Sequence, residues 1–245
     1  MKTLPIHFQA IVIACALALP GSGGAEEVES IPFSPPHPVK APVTSWGQAV
    51  NPEGDCRFFH SEEELLIHVP GGGRPHDLAA EVNVVNAPRV IQPVKGDFTL
   101  QVKIDGRFTP GDESSLPERT GYNGAGLIVM LDERNVVTLA RAVLQRQGDA
   151  PEPYANFEMR TDGRLERIGL TGDHPLPKTG PVFLRLERRG QKILGAVSAD
   201  GVSWDALEPK ELPGDWPKDL QAGLVAISTS AEEFHPRFSQ LQLLK

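Results

Sequence analysis

The chain is poor in cysteine and in aromatic residues, with two of the former and 6% of the latter. Cys15 lies in the N-terminal apolar segment, so Cys56 is left alone and no intrachain disulfide is available. A disulfide-stapled scaffold is thereby excluded, and the fold has to rest on its core. Closely spaced zinc-type ligands are missing too. His60, His68 and His76 stand eight residues apart, and they read as ordinary surface or rim histidines. Gly71-Gly72-Gly73 lacks the Gly-Lys-Ser/Thr ending of a phosphate loop and reads as a flexible loop. No Gly-x-Ser-x-Gly elbow occurs, which argues against an α/β-hydrolase. Positive charge is in deficit: 24 Lys and Arg against 32 Asp and Glu leave a net charge of -8. Such a surface is not built to neutralise phosphates, so nucleic acid is excluded as a partner and anionic membranes are disfavoured. No apolar run reaches the length of about 20 residues that a membrane-spanning helix needs. No internal repeat and no long amphipathic helix is visible.

Lys2 is the only charged residue before Glu26. An apolar run from Ala10 to Leu19 follows it, and small residues lead through Gly23-Gly24-Ala25. This is the layout of a secretory signal peptide over residues 1–25, and it implies a secreted or periplasmic protein. Val12-Ile13-Ala14-Cys15 offers lipoprotein anchoring through Cys15 as the alternative. Residues 26–42 carry Pro32, Pro35, Pro36, Pro38 and Pro42 and read as an extended linker. Residues 43–245 are then expected to form one domain, a length that suits a large β architecture.

Short β-rich runs separated by turn residues fill that domain. Phe98–Ile104 alternates apolar and polar residues strictly, which places one face on a core and one in water. Further strands are expected at Glu64–Val69, Arg89–Val94, Ala125–Leu131, Val136–Leu144, Tyr154–Thr161, Arg164–Leu170, Pro181–Arg188, Lys192–Ser198, Gln221–Thr229 and Arg237–Leu244. Asp162-Gly163 is a two-residue hairpin signal. Ten to twelve strands without helices mean a sandwich or a barrel. The long links Gly71–Ala87, Thr109–Tyr122 and Gln145–Pro153 favour a two-sheet antiparallel sandwich.

Period 2 places Asn156, Glu158 and Arg160 on one face of their strand, and Arg185 and Glu187 on one face of theirs. Amide, carboxylate and guanidinium groups in such rows can hydrogen-bond sugar hydroxyls. The plainer reading is a solvated face of cross-strand charge pairs, each contributing about 0.2–1 kcal/mol. A sandwich glucanase would carry three alternating acids on one strand; here Glu158-x-Arg160-x-Asp162 has arginine in the middle, and Asp162 belongs to a turn. Trp46, Trp204, Trp216, Tyr122 and Tyr154 are the rings that could stack on a sugar, although core or edge packing accounts for each of them. Trp216, between Asp215 and Pro217, reads as a partly exposed loop residue.

Several segments taken in order carry a resemblance. They are Asn86–Gln92, Gly96-Asp97-Phe98, Gly124–Val129 with Asp132–Asn135, Phe183–Arg188, Ser198–Trp204 and Gly223–Ala226. In order and spacing they resemble a bacterial family of unknown function related to the regulation of enolase protein, within the concanavalin A-like lectin/glucanase superfamily. They are also similar to the C-terminal sandwich of β-xylosidases. The resemblance covers about residues 44–245 and implies a jelly roll with a concave face that holds carbohydrate in relatives, in some with a structural calcium ion. It implies no activity. The expected function is therefore an exported, lectin-like module that binds an oligo- or polysaccharide without catalysis. Arg141, Asn156, Glu158 and Arg185 would line the concave sheet, with Tyr122, Asn123 and Trp204 at its rim. No cofactor is expected beyond a structural calcium, for which acidic pairs occur at Asp112-Glu113 and Asp132-Glu133. Two readings stand beside this one: a glycan-active hydrolase or lyase using Glu158 as an acid, and a non-catalytic scaffold domain of the cell envelope.

Overall fold

A computed structural model describes residues 43–44, 46–168 and 174–245. The expected signal segment and linker, and the end of the strand expected to reach Leu170, lie outside the described residues. In chain order the first strands are β1 (Val43–Thr44), β2 (Gly47–Val50), β3 (Arg57–His60), β4 (Glu64–His68), β5 (Leu78–Ala79) and β6 (Val84–Val85). Then come β7 (Arg89–Lys95), β8 (Phe98–Asp105), β9 (Gly121–Met130), β10 (Val136–Gln145), β11 (Glu152–Thr161) and β12 (Arg164–Ile168). The last are β13 (Val182–Arg189), β14 (Lys192–Ser198), β15 (Asp205–Ala206), β16 (Lys210–Glu211), β17 (Asp219–Ser228) and β18 (Arg237–Leu244). The only helical element among the described residues is a 3-10 turn, Ala80–Val82.

The strands form two large sheets, and every pairing is antiparallel. The first sheet runs β1-β2-β7-β17-β9-β10-β11-β12. The second runs β15-β14-β13-β8-β18-β4-β3, with β16 beside β14. The protein is a β-sandwich, as the long links and the resemblance led us to expect. Alternation fixes which face looks inward. On β8, Phe98, Leu100, Val102 and Ile104 are buried, while Thr99, Gln101 and Lys103 lie between them on the outer face. On β11, Ala155, Phe157 and Met159 face the core between the sheets.

Strands β9 and β10 depart from alternation. They are buried at almost every position, and a strand covered on both faces needs apolar residues on both. The second sheet covers one face. The segment that reads as a plain loop, residues 71–87, covers the other. It contains β5, the 3-10 turn and β6, and it lays Leu78, Val85 and Ala87 on Ile128, Met130, Val136, Val225 and Ile227. This second apolar cluster makes the segment a roof over the outer face of the first sheet.

The Asp162-Gly163 turn is formed as expected, with φ of 51° and 76°, between β11 and β12. Trp216 corrects the exposed-loop reading: it is buried, and its backbone turns back to the Pro213 carbonyl. His76 likewise is a buried residue of the roof rather than a rim histidine.

Lys210, on β16, is buried, and its Nζ has no hydrogen-bond partner among the described residues, lying 5.5 Å from the centre of the Phe157 ring. Burial pulls its pKa below the usual 10.5, against the weaker opposing pull of Glu166, Glu158 and Glu208. Lys210→Met should therefore stabilise the fold by about 1 kcal/mol or more, since it removes an unpaired buried charge. The unfolded chain binds the Lys210 proton more tightly than the folded one, so wild-type stability rises with pH in the alkaline range. The advantage of the methionine variant should shrink as pH climbs toward 10.5, measured by urea unfolding at a series of pH values.

Candidate functional site

The roof does not seal the sheet completely. Where it ends, over β9, β10 and β11, it leaves a cavity of about 220 Å³. The outer face of β11 supplies the floor with Asn156, Glu158 and Arg160, and with Tyr154 next in the alternation. Tyr122 of β9 and Ile227 of β17 stand beside them. The roof contributes Asp77 and Glu81, and the link before β9 contributes Leu116, Arg119 and Thr120.

The floor is held by a chain of polar contacts. Asn156 Nδ2 donates to Tyr122 Oη at 3.1 Å and to Glu158 Oε1 at 2.9 Å. Arg160 donates to Glu158 Oε2 at 3.2 Å and to Glu81 Oε2 at 3.3 Å. Asn156, Glu158 and Arg160 are all nearly inaccessible to solvent. Their charge is nonetheless balanced locally, as a buried ion must be. Burial pushes the Asp77 carboxyl up to about 6; the Leu78 amide and Arg160 oppose this, and Glu158 and Glu81 add to it. Burial also drives the Tyr122 hydroxyl well above its usual range, with Tyr154 and Glu158 adding to the effect. Tyr122 is thus a neutral hydrogen-bonding group at physiological pH.

Of the residues expected at the site, Tyr122, Asn156 and Glu158 come together here. The single lined sheet that sequence suggests is not formed, because the others point elsewhere. Arg141 pairs with Ala155 and so faces the space between the sheets. There it donates to the Gly180 carbonyl at 2.5 Å and lies over the Phe108 ring, 4.6 Å from its centre. Asn123 is on the same inward face, buried, and donates to Ser228 Oγ at 3.0 Å. Arg185 belongs to the other sheet. Its guanidinium bonds Gln101 Oε1 through Nε and Nη2 at 3.1 and 2.9 Å and stacks on Trp204 at 3.9 Å. That half-buried platform is the outer face of the second sheet.

Sequence reasoning missed Asp77, Glu81 and Arg119 as lining residues. Nothing local marks them, since the roof brings them over β11 from distant positions. Of the two acidic pairs, Asp132 spends its carboxylate on its own turn, accepting from the backbone of Arg134 and Asn135, and Glu133 pairs with Arg89. Two other clusters among the described residues bring together metal-ligating side chains, Asp55–Cys56–His76 and His68–Glu233–His235. Neither lines the cavity.

No protein-family model and no curated protein matches the chain. Solved structures do. A functionally unknown protein from Saccharomyces cerevisiae superposes with a TM-score of 0.58 at 14% identity, over 81% of this chain and 96% of that one. Xylan β-1,4-xylosidase from Bacillus halodurans matches at 0.53 and 12% identity, over 87% of this chain and 41% of that one. The GH43 protein BlXynB from Bacillus licheniformis matches at 0.52 and 15% identity, over 73% and 32%. The chain thus spans about two-fifths of the xylosidase and about a third of BlXynB. At these identities the likeness is one of fold: this chain superposes on β-sandwich structures.

Proposed function

We propose that this is an exported carbohydrate-binding module without catalysis, and that the cavity under the roof takes one sugar residue. The observation that carries the reading is the composition of the cavity. An amide, a carboxylate and a guanidinium lie in a row on the floor, with the two tyrosines Tyr122 and Tyr154 beside them. Planar polar groups of this kind hydrogen-bond neighbouring hydroxyls in pairs, and phenol rings combine an apolar body with a polar tip. The volume supports one residue rather than a long chain, since it falls below the range of about 300–1,000 Å³ typical of larger ligands. Export rests on the N-terminal charge and hydropathy pattern.

Two features bear on the substrate class and on catalysis. The lining carries Asp77, Glu81 and Glu158 against Arg119 and Arg160, so acidic sugars are disfavoured relative to neutral or amino sugars. Both Glu158 oxygens are engaged, one by Asn156 and one by Arg160. With each oxygen already accepting from a neighbouring side chain, the carboxylate is not positioned to reach a leaving oxygen.

The test is a glycan array with the purified chain from Glu26 onward. Binding to glycans that share a neutral or amino-sugar terminus, without release of reducing sugar, is the expected result. Binding confined to uronate-rich glycans would overturn the assignment. Turnover abolished in Glu158→Gln would replace it with the hydrolase reading.

A further inference from the structure

The roof is tied to the sandwich at a second place. Asp55 and Cys56 lie between β2 and β3, and His76 lies in the roof just before β5. His76 Nε2 is 3.1 Å from Asp55 Oδ1, and Cys56 Sγ is 3.5 Å from the same oxygen. The three ligand atoms all lie within 4.8 Å of one another. Bonds of about 2.0–2.3 Å from a tetrahedral ion to nitrogen, oxygen and sulfur set its ligand atoms about 3.3–3.8 Å apart. The cluster therefore needs little rearrangement to close on an ion.

We propose that Asp55, Cys56 and His76 form a site for a borderline-soft divalent cation of the zinc type, which pins the roof to the sandwich. The donor set selects the ion class. Thiolate and imidazole suit zinc-like ions, whereas calcium takes six to eight oxygens. Cys56 and His76 are buried, and Asp55 is partly exposed, which gives the ion a way in. The His76 ring presents Nε2 to the cluster, and that is the nitrogen placed to ligate. The supporting shell is also present. Asn51 clasps the Cys56 backbone, donating to its carbonyl at 2.8 Å. Arg74 binds Glu53 and approaches only the far oxygen of Asp55, at 3.9 Å. Binding replaces the thiol proton, which leaves to solvent as the sulfur becomes a ligand. With Cys56 a free thiol, such an ion would be a cross-link between the roof and the sandwich.

The full chain, stripped with a chelator, is titrated with Co²⁺ alone. One equivalent should bind with a thiolate-to-cobalt charge-transfer band and the visible bands of a tetrahedral ion, and Zn²⁺ should displace it. Cys56→Ser should lose the charge-transfer band, and His76→Ala should bind at least tenfold more weakly. Replacing His68 and His235 together by alanine should leave the spectrum unchanged. Zn²⁺ should raise the melting temperature of the wild type and not that of Cys56→Ser. A wild-type chain that shows no charge-transfer band at saturating Co²⁺ overturns the site, however the variants fold. Persistence of the band in Cys56→Ser would assign the thiolate to Cys15 and overturn it equally.

Discussion

Replacing Arg160 by leucine is expected to destabilise the fold by about 3–5 kcal/mol, because the loss of one partner strands buried charges. Arg160 is nearly inaccessible and lies between Glu158 at 3.2 Å and Glu81 at 3.3 Å, with Asp77 near enough to add to its pull. Leucine would remove the guanidinium that stands between these acids, under a roof that excludes much of the solvent. The contrast is Glu81→Gln. Glu81 sits at the mouth with its side chain partly exposed, and its loss should cost less than about 1 kcal/mol. Chemical unfolding of the two variants checks both. An Arg160→Leu variant as stable as the wild type would mean that the floor is not held by its charges.

Phe157→Ala should cost as much by a different route, about 3–5 kcal/mol, because it opens a cavity at the centre of the sandwich. The Phe157 ring is fully buried on the inward face of β11 and lies against Gly195 of β14, where an added Cβ would meet the ring at 3.0 Å. The glycine leaves room for the ring and offers no side chain of its own to refill the space once the ring is gone. Thermal unfolding should shift down by on the order of 10 °C. A shift of only a degree or two would indicate that the two sheets collapse onto the gap.

These two residues also mark how much was legible in the sequence. Asn156, Phe157, Glu158, Met159 and Arg160 alternate cleanly, so the division into a polar row and a core-facing row could be read directly. The hairpin at Asp162-Gly163 and the alternation of Phe98–Ile104 were equally plain, and with them an all-β fold; the choice of sandwich over barrel rested on the long links and the resemblance. The run Ala125–Leu131 was read only as a strand, and nothing in it says what lies on its second face. That cover comes from Leu78, Val85 and Ala87, set in strands of two residues, too short for a period to show. Asp77 and Glu81 reach the site only because of that roof. Arg141 and Arg185 were misplaced for a related reason. Alternation assigns a face within one strand, while the sheet a strand joins, and the side of that sheet it presents, depend on pairings between distant segments. Cys56 and His76 likewise meet only through the fold.

The cavity and the Arg185–Trp204 platform on the other sheet both offer a sugar polar groups and a ring. Calorimetric titration of Asn156→Ala and Trp204→Ala with the saccharide that the wild type binds best separates them. Loss of at least tenfold in affinity for Asn156→Ala, with Trp204→Ala unchanged, is the expected result, since Asn156 connects Tyr122 and Glu158 on the cavity floor. Unchanged binding by Asn156→Ala and loss in Trp204→Ala would put the saccharide on the opposite sheet and contradict the assignment of the cavity.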